Sequence, residues 1–147
     1  MTPPDQDPGC DFCDIVARQE DAREVLRTEQ VVAFFPLEPA TLGHTLIIPR
    51  QHLPNIWHLD AQTVAILATA TISVSRAVRD ALNPDGMNII QSNGEAATQT
   101  VPHLHVHVVP RWHDDAMGRI WPESTDWTGE QMSAAQTRIR SRLRETP

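Results

Sequence analysis

Three histidines, His103, His105 and His107, occupy every second position of one short segment and alternate with aliphatic residues. Such strict alternation, rich in β-branched residues, is typical of a β-strand, and we predict one over residues 101–109. Side chains two residues apart in a strand point to the same face. The imidazoles should therefore line one face at intervals of about 6–7 Å, while the aliphatic side chains enter a core. Pro110 has no N–H group to donate, and we expect it to end the strand.

A row of three imidazoles is hard to explain as an ordinary core or surface strand, where a single histidine would be unremarkable. The residues alone leave two functional interpretations open. The row could hold a metal ion. It could also supply a nucleophile with acid–base partners, because imidazole can serve in either protonation state near neutral pH.

Several motifs, in the same order along the chain, carry a resemblance to the histidine triad (HIT) family. The three alternating histidines with two following hydrophobic residues resemble the family's signature, and the Gln-Thr-Val at residues 99–101 resembles the segment before it. The Gly-His pair at residues 43–44, followed by hydrophobic residues, proline and arginine, resembles an earlier strand of the family. The Cys-x-x-Cys segment at residues 10–16 resembles the N-terminus of many bacterial members. The resemblance extends from about Cys10 to Trp112, most of the chain.

The resemblance implies an α+β fold, the HIT-like fold, with a roughly five-stranded antiparallel sheet, one long helix and a C-terminal helix. It also implies a homodimer, and an isologous pair is the commonest oligomer on general grounds. Residues 10–147 would form a single HIT domain with its C-terminal helix. Residues 1–9 are acidic and rich in proline, which predicts a flexible leader.

The local sequence pattern predicts where the individual elements lie. Asp60 is a good N-cap for the long helix. The helices are expected at residues 11–19, 61–82 and 129–144, and the strands at residues 23–28, 31–35, 44–48, 87–91 and 101–109. Proline and glycine predict a loop at residues 36–43, and small residues predict another at 92–99.

HIT enzymes act on the α-phosphate of a nucleotide through a covalent nucleotidyl-histidine, and the resemblance assigns the attack to the middle histidine, His105. Its other ring nitrogen would need a fixed acceptor, such as a backbone carbonyl, to hold the tautomer. His107 would act as a cation that binds a phosphate oxygen or protonates the leaving group. The side chains expected to bind the substrate are His44, Ser92, Asn93, Gln99 and Thr100.

The resemblance also bears on the substrate. Purine nucleoside phosphoramidates, or related nucleotidyl conjugates, are favoured, as in the adenosine phosphoramidase branch of the family. Hydrolysis of diadenosine polyphosphates is the alternative within the family. A nucleotide-binding sensor with little turnover, and a metal-dependent enzyme that uses all three histidines as ligands, are alternatives of other classes.

Cys10 and Cys13 have the spacing of a zinc knuckle, which needs two more ligands. The resemblance supplies His52 and His103, because Cys-bearing HIT members and the related galactose-1-phosphate uridylyltransferases hold zinc by two Cys and two His. Such a closed set would make the zinc structural and would leave His105 free for chemistry. Free thiols beside a surface His52, or a short-loop disulfide, are the alternatives. No organic cofactor is expected.

Three positions depart from the family's usual pattern. Pro36 stands where many members have an Asp or Asn that holds the ribose hydroxyls, and Glu38 could substitute for it. Thr98 replaces a usual glycine, and its Cβ restricts φ in the phosphate loop. Ser92 replaces a usual Asn or Gln. These departures bear on nucleoside selectivity and on the catalytic rate.

Composition narrows the classes of partner. The net charge of −7 and the lack of a basic block disfavour a non-specific grip on nucleic acid. We see no apolar run that approaches the ~20 residues of a membrane span, and no signal peptide, so no membrane partner is expected. The default location is the cytoplasm.

Overall fold

The computed structural model describes residues 6–18 and 20–144. The chain divides after Met117 into two compact units. The first contains the sheet, two helices and all the candidate site residues, and the second contains the C-terminal helix. Most of the predicted leader, residues 1–5, lies outside the described residues.

One sheet organises the first unit. Its strands are β1 (Arg23–Arg27), β2 (Val31–Phe35), β3 (Thr45–Pro49), β4 (Gly86–Gln91) and β5 (Val106–Arg111). They pair antiparallel throughout, in the order β1-β2-β3-β5-β4. The predicted five-stranded antiparallel sheet is confirmed, and the first four strands lie within one residue of their predicted bounds.

The triad segment joins this sheet later than predicted, because β5 begins at Val106 and not at residue 101. The backbone N–H of Leu104 donates to the carbonyl of Leu53 at 2.6 Å, in the loop that follows β3. This bond draws residues 101–105 out of the ladder into a bent approach to the strand. Of the three histidines, only His107 lies within β5.

The prediction that Pro110 ends the strand is wrong, since β5 continues to Arg111 and Pro110 pairs with Met87 of β4. The carbonyl oxygen of Pro110 accepts a hydrogen bond from Thr41 Oγ1 at 2.7 Å, on the side of β3. Because N and O of one strand residue point the same way, the missing N–H faces away from β4 and interrupts no ladder bond.

The described residues form three α-helices, α1 (Asp11–Val16) and α2 (Ala61–Leu82) in the first unit and α3 (Gly129–Arg144) in the second. The bounds of α2 and α3 are those predicted. Asp60 caps α2, its Oδ1 accepting from the N–H of Thr63 at 2.7 Å, and Asn83 ends it in the left-handed conformation at φ 47°. α1 is shorter than predicted, and the last residue of the predicted helix, Gln19, lies outside the described residues.

The strand residues alternate between two buried faces. One face packs against α2, and the residues of this cluster include Val31, Ala33, Ile47, Leu67, Ala70, Val74, Leu104 and Val108. The other face packs against α1 and buries Phe12, Ile15, Val32, Phe34, Leu46 and Ile48. His107 pairs with Leu46 across the strands and therefore shares its face. The triad thus lies on the α1 side of the sheet.

α2 is long and apolar enough to meet the length and composition of a membrane span. This corrects the expectation that the chain has no such segment. The helix contacts β2, β3 and β5, and the side of the helix that faces these strands is buried in the core. Its outer face stays open, and Val64 and Ile72 are each about half exposed.

Candidate active site and metal centre

The predicted nucleophile, His105, is held in one tautomer. Its Nδ1–H donates to the carbonyl oxygen of His103 at 2.7 Å, so Nε2 carries the free lone pair. The residue is 4% exposed, and this burial lowers the pKa of the imidazole. A neutral ring with its far nitrogen fixed by an acceptor is the form that a histidine nucleophile requires.

A chain of hydrogen bonds fixes the tautomers of two further histidines. The backbone N–H of Ala40 donates to Nδ1 of His44 at 3.0 Å, so His44 Nε2 carries the proton. That Nε2–H donates to Nδ1 of His107 at 2.9 Å. His107 must therefore present its own N–H at Nε2. The loop before β3 therefore determines, through His44, which nitrogen of His107 can donate a hydrogen bond.

Burial and the hydrogen bond at Nδ1 favour the neutral ring of His107 in the free protein, and its predicted role as a cation stays a prediction. Burial, and then the neighbouring His105 and His44, lower its pKa to about 4. Burial also lowers the pKa of His44. At pH 7 His107 can still donate a hydrogen bond from Nε2–H, but it brings no charge of its own to the cleft.

The rings of His105 and His107 lie 4.9 Å apart between centroids and line one cleft of about 820 Å³. His44 and Thr100 line the same cleft, beside apolar side chains from β2, β3 and α1. Its charged lining residues, among those described, are Asp11, Glu20, Asp21, Arg23 and Glu38. The cleft therefore combines an imidazole pair with a lining that is negative on balance.

The other loop residues predicted to bind substrate are engaged elsewhere. Gln99 Nε2 donates to the carbonyl of Pro54 at 2.7 Å, and its Oε1 accepts from the N–H of Gly94 at 2.8 Å. Asn93 Oδ1 accepts from the N–H of Ile56 at 2.8 Å. These amides brace the loop against the segment that follows β3. Their contact with phosphate stays a prediction, as does that of Ser92, which is half-buried beside them.

The departures noted in the sequence have a structural counterpart. Thr98 adopts φ 67° and ψ 25°, the left-handed region that a β-branched residue rarely enters. A glycine would adopt this conformation without the steric cost, which explains the family's usual residue here. Pro36 and Glu38 both line the cleft, so a carboxylate is present near the position where Asp or Asn is usual.

Cys10, Cys13, His52 and His103 come together, with their ligand atoms all within 4.8 Å of one another. Nδ1 of His103 lies 3.5 Å from Cys10 Sγ and 3.6 Å from Cys13 Sγ, and Nδ1 of His52 lies 3.4 Å from Cys13 Sγ. Zn–S and Zn–N bonds of ordinary length at a tetrahedral angle place sulfur and nitrogen about 3.6 Å apart. The donor set therefore fits zinc in both chemistry and spacing.

The surroundings of this cluster also suit a cation. His103 Nε2–H donates to the carbonyl of Pro49 at 2.8 Å, which leaves the Nδ1 lone pair facing the thiols. Burial lowers the pKa of His103 to about 4 and raises that of Cys13 to about 11. A bound divalent cation would supply the positive charge that stabilises the thiolates. Both cysteines are free thiols, so the disulfide alternative is not realised.

Two supporting residues were not predicted from the sequence. Phe12, between the two cysteines, packs edge-on against His105 with ring centroids 5.1 Å apart. Arg27 of β1 donates to the carbonyls of Ile15 and Val16 at 3.0 Å and so holds the end of α1 on the sheet. The spacing of the Cys-x-Phe-Cys segment gave a signal for Phe12, since a residue between two metal ligands must face another way. The sequence around Arg27 gave no indication that its side chain would contact the end of α1.

Comparison with known proteins places this geometry in a family. Residues 17–114 match the model of the HIT domain. The chain is 34% identical to the protein hit of Bacillus subtilis over 136 residues, covering 91% of this chain and 94% of the relative. It is 29% identical to adenosine 5'-monophosphoramidase hnt1 of Schizosaccharomyces pombe, covering 92% and 98% of the two chains.

Solved structures agree with the sequence matches. A protein of Streptococcus mutans, SMU.412c, superposes with a TM-score of 0.87 at 34% identity, covering 95% of this chain and 88% of that one. A Zn-bound histidine triad family protein of Mycobacterium smegmatis gives a TM-score of 0.70 at 34% identity, covering 90% and 96%. With the triad, the cleft and the sheet all in place, the chain belongs to the HIT family.

Proposed function

We propose that the protein is a nucleotide hydrolase or transferase that cleaves purine nucleoside phosphoramidates, or related nucleotidyl conjugates, at the α-phosphorus. The observation that carries the proposal is the 2.7 Å bond from His105 Nδ1–H to the carbonyl of His103, which leaves Nε2 free in the cleft. The similar protein of S. pombe is named an adenosine 5'-monophosphoramidase, and a similar protein of Arabidopsis thaliana is named an adenylylsulfatase.

In the proposed first step, His105 Nε2 attacks the α-phosphorus, the Nε2–P bond forms and the bond to the leaving nitrogen breaks. The leaving nitrogen takes its proton from solvent while the neutral His107 donates a hydrogen bond from Nε2–H to the departing group, and His44 supports His107 from behind through the 2.9 Å bond. In the second step, water attacks phosphorus and returns one proton to solvent. The Nε2–P bond then breaks, releasing the nucleoside monophosphate and neutral His105.

The charges of the cleft favour a phosphoramidate over a diadenosine polyphosphate. Its described lining has four carboxylates against one guanidinium, and the buried histidines add no positive charge at pH 7. A polyphosphate would bring several further negative charges into this lining, whereas an amine leaving group brings none. Apolar lining residues, among them Phe34 and Leu46, suit the faces of a purine.

Zinc is part of the proposal as a structural ion held by Cys10, Cys13, His52 and His103. Bound there, it would join the segment before α1 to the strand approach that carries His103. Since the carbonyl of His103 holds His105, the ion would support the nucleophile without contacting the substrate. The Zn-bound relative from M. smegmatis supports this assignment. Zinc below a tenth of an equivalent in purified protein, with stability unchanged by chelator, would remove it.

The proposal includes a homodimer in the cytoplasm. The exposed apolar residues Val64 and Ile72 of α2, and Ile89 on the edge strand β4, offer a surface that a second copy would bury. Two thiols that serve as metal ligands suit a reducing compartment. Ile72→Glu should convert the dimer to a monomer in sedimentation. A wild-type protein that already sediments as a monomer at micromolar concentration would end the dimer proposal.

Intact-protein mass spectrometry tests the proposed chemistry. The protein is quenched in acid shortly after mixing with an adenosine phosphoramidate and, separately, with diadenosine tetraphosphate. An added adenylyl mass that is absent from His105→Ala and retained in the matched control His113→Ala supports nucleotidyl transfer to His105. No adduct and no released adenosine monophosphate, together with tight binding of that nucleotide in calorimetry, would instead identify a nucleotide-binding sensor.

A further inference from the structure

Asp7 lies in the segment expected to be a flexible leader, yet both its backbone and its side chain contact the cysteine–histidine cluster. Its N–H donates to Cys13 Sγ at 3.5 Å. Its carbonyl accepts from the N–H of Cys10 at 3.1 Å. Its Oδ2 lies 3.8 Å from Nε2 of His52. Asp7 contributes nothing to the proposed phosphate chemistry, so these contacts call for another explanation.

The side-chain contact matches what a metal-binding imidazole needs. A histidine that presents one nitrogen to a metal is held by an acceptor at the other nitrogen, often a carboxylate or a backbone carbonyl. His103 has such an acceptor, the carbonyl of Pro49 at 2.8 Å. Nδ1 of His52 faces Cys13, so Nε2 is its outer nitrogen, and Asp7 is the acceptor group beside it.

The backbone contacts act on the other ligand pair. An N–H that donates to sulfur stabilises the negative charge of a thiolate, and the N–H of Asp7 is placed for this at Cys13. The bond from the Cys10 N–H to the Asp7 carbonyl fixes the turn that leads into α1. Both contacts hold the segment in the conformation that brings its carboxylate over His52.

We propose that Asp7 is a positioning residue of the metal centre, which orients His52 through Nε2 and holds the Cys13 sulfur through its backbone N–H. The inference rests on the proposed zinc ion and goes beyond the four ligands. It makes the segment from Asp7 to Cys10 one wall of the site. The carboxylate side chain of Asp7 is 56% exposed, and the His52 side chain beside it is 16% exposed.

Zinc affinity tests the inference without reference to activity. Zn²⁺ is titrated against a chromophoric chelator for the full-length wild type and for Asp7→Ala, Asp7→Asn and Asp11→Ala. Asp7→Ala should bind zinc about 10- to 100-fold more weakly. Asp7→Asn should recover most of the affinity, because its amide oxygen keeps an acceptor beside Nε2–H. Asp11→Ala, which removes a neighbouring exposed carboxylate beside Cys10, should match the wild type.

Co²⁺ substitution provides a second readout. The visible absorption of a tetrahedral Co²⁺ site should shift or weaken in Asp7→Ala and stay unchanged in Asp11→Ala. Wild-type zinc affinity and an unchanged Co²⁺ spectrum in Asp7→Ala would overturn the inference while leaving the zinc proposal intact. A wild type that binds neither ion would remove the zinc proposal itself, with the function of His105 still to be judged by the mass measurement.

Discussion

His103 and His105 are two residues apart in one segment, share one face of the fold and have opposite roles in the proposal. His103 donates from Nε2 to the carbonyl of Pro49, so its free lone pair is at Nδ1, facing two thiols. His105 donates from Nδ1 to the carbonyl of His103, so its free lone pair is at Nε2. In each ring, the nitrogen that donates to a backbone carbonyl is protonated, and the other nitrogen keeps its lone pair. The same residue type can therefore serve as a metal ligand at His103 and as the proposed nucleophile at His105.

The two regions also differ in their exposure to water and are joined through one residue. His103 is fully buried, whereas His105 and His107 line an open cleft. His103 belongs to both regions, since its side chain faces the metal site and its carbonyl orients the nucleophile. A change at the metal site should therefore reach the cleft through the backbone, whereas a change in the cleft should leave the metal site intact.

The largest expected effect is on turnover, from a change confined to the cleft. His105→Ala should lower kcat with an adenosine phosphoramidate by about 10⁴-fold, because no other group can form the covalent intermediate. Zinc content should stay at the wild-type level. His105→Asn should bind adenosine monophosphate while remaining inactive. Activity within tenfold of the wild type in His105→Ala would remove this residue as the nucleophile.

The second prediction concerns the metal site, where removal of the proposed zinc ion should destabilise the fold. Cys13→Ser should lose zinc and lower the free energy of unfolding by about 3 kcal/mol or more, since ion binding is coupled to folding of the cluster. Denaturant unfolding with and without a chelator measures this effect. The wild type should lose similar stability in chelator, while Cys13→Ser should be insensitive to it. Equal stability of all four samples would contradict a structural ion.

Breaking the His44–His107 hydrogen bond should have a smaller effect, limited to the cleft. His44→Ala should lower kcat by about 10- to 100-fold, because His107 then lacks the donor that fixes its tautomer. KM should change little, since His44 supports His107 as a hydrogen-bond donor rather than binding the nucleotide. The exposed His58 supplies the matched control, and His58→Ala should behave as the wild type. Equal losses in both variants would contradict a specific role.

Acidification should weaken the fold through the His107 ring, which is half-buried. The pKa of His107 is about 4 in the folded protein against an ordinary 6.5, so the unfolded chain binds more protons between these values. The contribution is complete above pH 6.5 and is lost as the pH falls toward 4. It should be on the order of 2 kcal/mol after allowance for solvent. Unfolding curves of His107→Asn should show a shallower loss over this range. An unchanged pH dependence would contradict the assignment.

The smallest expected effect comes from the loop between the two regions. Thr98→Gly should raise the free energy of unfolding by about 0.5–1 kcal/mol. Glycine adopts φ 67° without the steric cost that a β-branched residue has there, and this gain exceeds the backbone entropy that glycine loses on folding. Thermal unfolding measures the difference. Thr137→Gly, at a helical position of α3, is the control and should destabilise. A destabilised Thr98→Gly would show that the threonine side chain makes a contact worth more than the strain.

The sequence alone determined what depends on neighbours along the chain. Alternation predicted the five strands, and Asp60 with Asn83 marked the ends of α2, because side-chain direction and helix capping are set within a few residues. The Cys-x-x-Cys spacing with the family resemblance predicted all four residues that meet in the metal cluster. The same resemblance identified Thr98 as a departure from the family's usual glycine.

Tertiary structure decided what depends on partners far along the chain. The bond from Leu104 to Leu53 moved the start of β5, and the bond from Gln99 to Pro54 holds the loop before β5 against the segment after β3. Pro110 stayed in the strand because its missing N–H faces away from β4. A hydrogen bond forms only between groups that the fold brings within about 3 Å of each other. Sequence spacing does not predict that distance when the two residues lie in separate segments.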